Sequence, residues 1–270
     1  MPRPNFKYKH AANVKLEMWR RGAGQPLLFL HPGDGLDPES PFLAALAERF
    51  DVIAPSHPGF GGSDLPGYVT TVDDISYIYL DFLAQQELEN VLLVGASLGG
   101  WIAAEIATKC THRLAGLVIA DSLGAKFGDR GTREIADLFS LPQFQLGELF
   151  YHDRHRKDFA NQPEDVLIRL ARNHETFALL GWSPTLHNPK LRHRLSSIDV
   201  PTLVLWGADD KVVSPDYGRN FAAAIPNSTF ELISKAGHYA HEDQSEQFVA
   251  AVQRFSDRLA NGAAATPVDR

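Results

Sequence analysis

Asn90–Gly100 reads NVLLVGASLGG: an almost wholly apolar run, Val91–Val94, entering the cluster Gly95-Ala96-Ser97-Leu98-Gly99-Gly100. A strand this uniformly apolar is covered on both faces, as in a parallel sheet flanked by helices. Leu98–Thr108, which leaves the cluster, has helical spacing. The segment therefore predicts strand, sharp turn and helix, with a serine on the turn. Strained backbone angles at such a serine require small neighbours, which Gly95 and Gly99 supply. The turn is expected to lift Ser97 Oγ above the sheet edge. It also leaves the Leu98 N–H at a helix N-terminus, where it can meet a developing oxyanion.

Outward from this point the same alternation recurs. Pro26–Leu30, Phe50–Ala54, Leu114–Ala120, Thr202–Gly207 and Thr229–Ile233 read as strands, and Val14–Trp19 as an edge strand. Pro41–Arg49 and Val72–Gln86 read as helices between them. Strands and helices in turn, with short links, predict a doubly wound α/β fold with a mostly parallel central sheet flanked by helices. The alternation stops between Ser122 and about Ser196, where Thr132–Phe139, Phe144–Tyr151 and Glu164–Leu180 have helical character. The expected organisation is a core of residues 1–122 and 196–270, with residues 123–195 as an all-helical lid. The polar, small-residue tail Asn261–Arg270 is expected to be disordered.

With 270 residues the chain can bury one large core, and its 44% hydrophobic and 22% charged residues suit a soluble domain. A net charge of −7 argues against a nucleic-acid partner, since phosphate binding needs a concentrated basic face. The basic run His152–Lys157 (HDRHRK) is short, contains an acid, and reads as a solvated helix end. No apolar stretch is long enough for a membrane span, and no signal-peptide core opens the chain. A single cysteine, Cys110, allows no intrachain disulfide, which fits a cytoplasmic setting.

A serine hydroxyl needs a base, and His238, in Lys235-Ala236-Gly237-His238-Tyr239, follows the last strand on the same expected sheet edge. His241, three residues on, is the rival. The imidazole in turn needs a carboxylate to hold its tautomer. Trp206-Gly207-Ala208-Asp209-Asp210-Lys211 follows a buried strand and offers Asp210, with Asp209 and Asp121 as alternatives. The loop His31-Pro32-Gly33-Asp34-Gly35 should supply the second oxyanion donor, Gly33 N–H or Asp34 N–H, with His31 as a brace. Phe139, Phe144, Phe177 and Trp182 are candidates for an apolar substrate pocket, while Trp101 is expected to pack. The scattered histidines, such as His152 and His155, point to no metal, and no cofactor is implied. The expected partner is a small molecule; nothing in the sequence speaks to oligomeric state.

Together these residues resemble the α/β-hydrolase superfamily over nearly the whole chain. GASLGG is similar to its nucleophile elbow, WGADDKVV to its acid-bearing segment with the acid at the second Asp, and KAGHYAHED to its histidine loop. Ser56–Asp64 (SHPGFGGSD) is similar to the turn after the fourth strand in many members. The resemblance implies a lidded serine hydrolase acting on a small apolar ester, or on the carbon–carbon bond of a dienone-type metabolite. A ligand-binding member without turnover is the third alternative. Dienone-cleaving members carry Asn-Ser-Met and His-Trp where this chain has Ala96-Ser97-Leu98 and His238-Tyr239. Haloalkane dehalogenases and epoxide hydrolases carry Asp at the position of Ser97.

Overall fold

Apolar runs pair into strands here because each has two apolar faces to cover. The computed structural model describes residues 6–129, 131–153 and 162–262, apart from the side chains of Phe6, Tyr8, Gln143 and Phe144. The strands are β1 (Phe6–Ala11), β2 (Val14–Arg21), β3 (Gln25–Leu30), β4 (Phe50–Pro55), β5 (Val91–Ala96), β6 (Leu114–Ala120), β7 (Thr202–Gly207) and β8 (Ser228–Ile233). They form an eight-stranded sheet among the described residues, in the order β1-β2-β4-β3-β5-β6-β7-β8. Pairing is parallel from β4 across to β8 and antiparallel at β1–β2 and β2–β4.

Within β5, Val91 and Leu93 join one hydrophobic core while Leu92, Val94 and Ala96 join another on the opposite face. β6 and β7 split the same way, with Leu117, Ile119, Val204 and Trp206 on one side and Val118, Ala120, Leu203 and Leu205 on the other. This is the period-2 consequence of the pleat: an unbroken apolar run feeds two cores at once. The first core is closed by α2 (Val72–Gln85), α3 (Leu98–Ala107) and α7 (Pro215–Ala223), the second by α1 (Pro41–Ala47) and α9 (Ser245–Ala260). Thr71 starts α2 with a capping box, its hydroxyl and the Asp74 carboxylate each accepting the other's backbone N–H.

Two expectations are corrected. Val14–Trp19 is not at the edge: β1 lies outside it, folded back by Ala12 and Asn13, which both take positive φ (47° and 64°). Such a two-residue turn is the hairpin connection favoured by strand twist. β1 (FKYKHA) was hard to read because its lysines suit an exposed edge rather than a buried face. Nor is Thr132–Phe139 a helix. Ile135 bridges Val213, the Phe127 N–H donates to Glu134, and the Asp137 carboxylate accepts from the Phe139 and Ser140 N–H groups. Eight residues are too few to hold a helix without tertiary support, and here the support favours an extended path.

The rest of the chain between β6 and β7 carries α4 (Gln143–Phe150), α5 (Glu164–Gly181), α6 (Leu191–Arg194) and a 3₁₀ turn, Leu195–Ser197. A short helix, α8 (Ala240–Asp243), follows β8. No helix among the described residues is long and apolar enough to cross a membrane. Most of the run His152–Lys157, and the tail beyond Gly262, lie outside the described residues.

β3 pairs with β4 on one side and β5 on the other, so the chain's winding direction reverses there. In open α/β sheets that reversal opens a crevice at the carboxyl ends of the strands. Ser97 and the His31 loop flank it.

Candidate active site

Ser97 sits between β5 and α3 with φ 54° and ψ −114°, a left-handed conformation costly for a residue with a Cβ. Its neighbours make the strain possible. A Cβ on Gly95 would lie 2.2 Å from the Gly99 carbonyl oxygen, and one on Gly99 only 2.0 Å from that of Leu30. The second contact packs the start of α3 against the end of β3, beside His31. The turn is pinned by the Ser97 N–H to the Ala120 carbonyl (2.9 Å). Leu98 opens α3, so its N–H is one of the first-turn donors without an intrahelical acceptor.

His238 follows β8 and is wholly buried. Its Nε2 lies 2.8 Å from Ser97 Oγ and its Nδ1 2.9 Å from Asp210 Oδ2. With the carboxylate as acceptor, Nδ1 carries the proton and Nε2 is the acceptor toward the serine. Asp210 Oδ1 accepts from the Val212 and Val213 N–H groups at 2.8 and 3.1 Å, which orients Oδ2 toward the ring. The approach of the two loops needs small residues, since a Cβ on Gly207 would fall 2.0 Å from the Gly237 carbonyl oxygen.

The rivals go elsewhere. Asp209 is exposed at the turn and pairs with His152 Nδ1 at 2.8 Å. His241 lies on α8 among Phe29, Phe42, Phe248 and Tyr239. Asp121 is buried at the end of β6 and accepts the Gly207 N–H at 2.6 Å. Burial first, and then the charge of Asp210, push its carboxyl well above the usual range. Through the Gly207 N–H it braces the turn leading to Asp210, and it is Asp210 that hydrogen-bonds His238.

In the His31–Gly35 loop, the Gly35 N–H donates to the Pro32 carbonyl at 3.1 Å, closing a turn over Gly33 and Asp34. His31 does brace it. His31 Nε2 accepts the His57 N–H (2.9 Å), which leaves Nδ1 as donor to the Pro32 carbonyl (2.6 Å). His57 stacks on His31 at 3.7 Å, donates from Nε2 to the His31 carbonyl (2.9 Å) and accepts at Nδ1 from the Tyr79 hydroxyl (2.6 Å). Burial, then the neighbouring His31, hold His57 well below the ordinary imidazole value. Neutrality suits His57, whose two ring bonds use one fixed tautomer.

Of the aromatic candidates, Phe177 on α5 lies over the loop: a Cβ on Gly33 would fall 2.9 Å from its ring. Phe139 touches Phe177 and Trp182, while Trp182 itself is 64% exposed. The side chain of Phe144 lies outside the described residues. Trp101 packs in the core, its Nε1 donating to Glu105 at 3.2 Å. Among the described residues no cluster of three or more His, Cys, Asp or Glu could hold a metal ion.

A sequence model of the family described as alpha/beta hydrolase fold matches residues 25–245. The chain belongs to that family. With hydrolases among its curated relatives, it is a hydrolase. The 2-hydroxymuconate semialdehyde hydrolase of Pseudomonas putida is 27% identical, over 91% of this chain and 92% of its own. A meta-cleavage product hydrolase of Pseudomonas fluorescens IP01 superposes with a TM-score of 0.76 at 20% identity, covering 93% of this chain and 97% of that one. The esterase RhEst1 of Rhodococcus sp. ECU1013 superposes at 0.73 with 20% identity, covering 94% and 99%. At these identities both superpositions speak to the fold.

Two site neighbours of this alpha/beta hydrolase were missed in the sequence. Phe150, at the end of α4, stacks over His238 and Tyr239, with ring centroids 5.9 and 4.7 Å away. Its carbonyl also accepts the Tyr239 N–H, so α4 is tied to the histidine loop. Asn173, on α5, reaches both loops of the crevice. Neither lies near a motif, and a phenylalanine or asparagine in a helix carries no signal of its tertiary contacts.

Proposed function

We propose that this chain is a serine hydrolase that cleaves a small, largely apolar ester or related acyl compound. One observation carries the reading: an unbroken line of contacts from Ser97 Oγ through His238 to Asp210 (2.8 and 2.9 Å) at the crevice where the winding reverses. Ser97 Oγ attacks the acyl carbon while its proton passes to His238 Nε2. The Leu98 and Gly33 N–H groups receive the oxyanion, and Asp210 stabilises the imidazolium. Collapse expels the alcohol, which takes the proton from His238. Water then enters by the same route, giving its proton to Nε2, and the carboxylic acid leaves as Ser97 is restored.

Residues 123–195 are proposed as the lid over this centre, with Phe177 as one wall of the acyl pocket. Its ring against Gly33 puts an apolar surface beside the proposed oxyanion donor. A second reading keeps the same residues and moves the cleavage to a carbon–carbon bond; the 2-hydroxymuconate semialdehyde hydrolase relative favours it. The test is a panel of p-nitrophenyl esters of increasing acyl length alongside a ring-fission dienone, on wild type and Ser97→Ala. Ester turnover and fluorophosphonate labelling that both vanish in Ser97→Ala are the expected result. Undiminished labelling of that variant would falsify the assignment of the nucleophile, and turnover of the dienone alone would transfer the chemistry to the second reading.

A further inference from the structure

From the insertion, Phe177 packs on Gly33, His174 Nε2 lies 3.8 Å from Asp34 Oδ1, and Asn173 hydrogen-bonds the backbone of the turn. Asn173 on α5 is 3% exposed, and both ends of its carboxamide are used. Nδ2 donates to the Asp34 carbonyl at 2.7 Å, and Oδ1 accepts the Gly61 N–H at 2.9 Å. It thus links the loop after β3 to the turn after β4. The fit is close: Gly35 has φ +99°, and a Cβ there would lie 2.1 Å from Asn173 Nδ2.

Peptide planarity turns this link into an orienting device. The Asp34 carbonyl and the Gly35 N–H belong to one trans peptide, so they point in opposite directions. Fixing the carbonyl with Asn173 aims the Gly35 N–H, which donates to the Pro32 carbonyl at 3.1 Å. The Pro32 carbonyl and the Gly33 N–H share the next such plane, and His31 Nδ1 holds that carbonyl from the other side at 2.6 Å. Two peptide planes in series therefore carry the orientation of Asn173 to the Gly33 N–H, each bond polarising the next.

We propose that Asn173 is a positioning residue for the oxyanion hole, acting on the Gly33 N–H through the Asp34–Gly35 and Pro32–Gly33 peptides. This rests on the reading of Ser97 as an acyl-transfer nucleophile with Gly33 as a donor. The lid helix thus does two things: it walls the pocket through Phe177 and aims a catalytic amide through Asn173.

Asn173→Asp is nearly isosteric, keeps an acceptor for the Gly61 N–H, and replaces the donor facing the Asp34 carbonyl with an acceptor. Asn173→Ala removes both bonds without adding charge and carries the test if the first variant does not fold. Thr176→Val serves as control, because Thr176 Oγ1 donates to the Gly59 carbonyl (3.0 Å), so its loss loosens α5 without a bond to the Gly33 turn. Each full-length protein is assayed for steady-state ester hydrolysis, melting temperature and inhibition by an alkyl trifluoromethyl ketone. That ketone adds Ser97 Oγ to its carbonyl carbon, passes the serine proton to His238, and leaves its oxygen as an oxyanion.

The expected result is a kcat about 10- to 100-fold lower in both Asn173 variants, short of the roughly 10²–10³-fold reported for losing a donor outright. The inhibition constant should rise by the same factor while KM stays within about threefold, since the lost interaction belongs to the tetrahedral species. Thr176→Val should match wild type in kcat and in inhibition. An unchanged kcat, a loss confined to KM, or an equal loss in Thr176→Val overturns the proposal. A wild type that neither hydrolyses esters nor labels with a fluorophosphonate overturns instead the reading beneath it.

Discussion

The sheet and the insertion reach the active crevice by opposite means. The sheet's contribution rests on apolar packing: β5, β6 and β7 bury every residue or nearly so, and parity divides them between two cores. The helix α5 buries Phe177 and Leu180 but adds to them a row of directed polar contacts. Arg169 pairs with buried Glu17 at 3.0 Å, Arg172 donates to the Gly59 and Ser63 carbonyls, and Asn173 and Thr176 complete the set. Its far side leaves Ile168 and Leu179 largely exposed. Apolar packing supplies most of the free energy of a fold but tolerates sliding; directed hydrogen bonds add little net energy but accept only one geometry. The sheet therefore provides stability and carries Ser97, Asp210 and His238 in the turns after β5, β7 and β8, while α5 adds directed bonds to the loops beside them.

That contrast can be broken in several ways. If the chemistry belongs to the sheet edge, Ser97→Ala should cost at least about 10⁴-fold in kcat while leaving the melting temperature close to wild type. Single-turnover ester hydrolysis alongside calorimetry measures both. Leu93→Ala, in the middle of β5, should cost about 2–5 kcal/mol of unfolding free energy through lost burial and a cavity, read from urea midpoints.

Acid should also weaken the core, through His57. Its folded value is depressed, so below about pH 6.5 the unfolded chain binds a proton that the folded chain refuses. The stability present above that pH is lost as pH falls toward the folded value, by up to about 1.4 kcal/mol per pH unit from this group. Urea unfolding at pH 7.5 and 5.5 should show a smaller loss in His57→Gln than in wild type.

On the insertion, Phe177→Ala should leave Ser97 labelling by a small fluorophosphonate intact while shifting the preferred acyl length. A change of about tenfold in relative kcat/KM between short and long esters is expected, the value of one or two methylenes in a pocket. Leu179→Ser, on the exposed side of α5, should move stability by no more than about 0.5 kcal/mol. A large loss there would mean that this surface is covered in solution, and the contrast between the two regions would need redrawing.

How much could be read in advance follows the same division. The strand–turn–helix around Ser97, the buried runs at β6 and β7, and the loops bearing Asp210 and His238 all announce themselves locally. Each needs particular residues in consecutive positions: apolar runs for two-faced strands, glycines beside a strained serine. β1 was missed because edge strands need no apolar period. Thr132–Phe139 was misread because the Ala136 N–H donates to the distant Val212 carbonyl, and eight residues have too little helical preference to resist such a bond. Phe150 and Asn173 were invisible for a related reason: their importance lies in what stands opposite them.

The strand–helix alternation, the elbow at Ser97 and the loops bearing Asp210 and His238 were legible in the chain alone, because these depend on neighbours a few residues apart. Only the tertiary structure decided where Asp209 and Asp121 go instead of to His238, where α5 docks, and which peptide planes lead from Asn173 to Gly33. Those outcomes depend on hydrogen bonds a few ångströms long between residues far apart in the chain, and no local pattern encodes such distances.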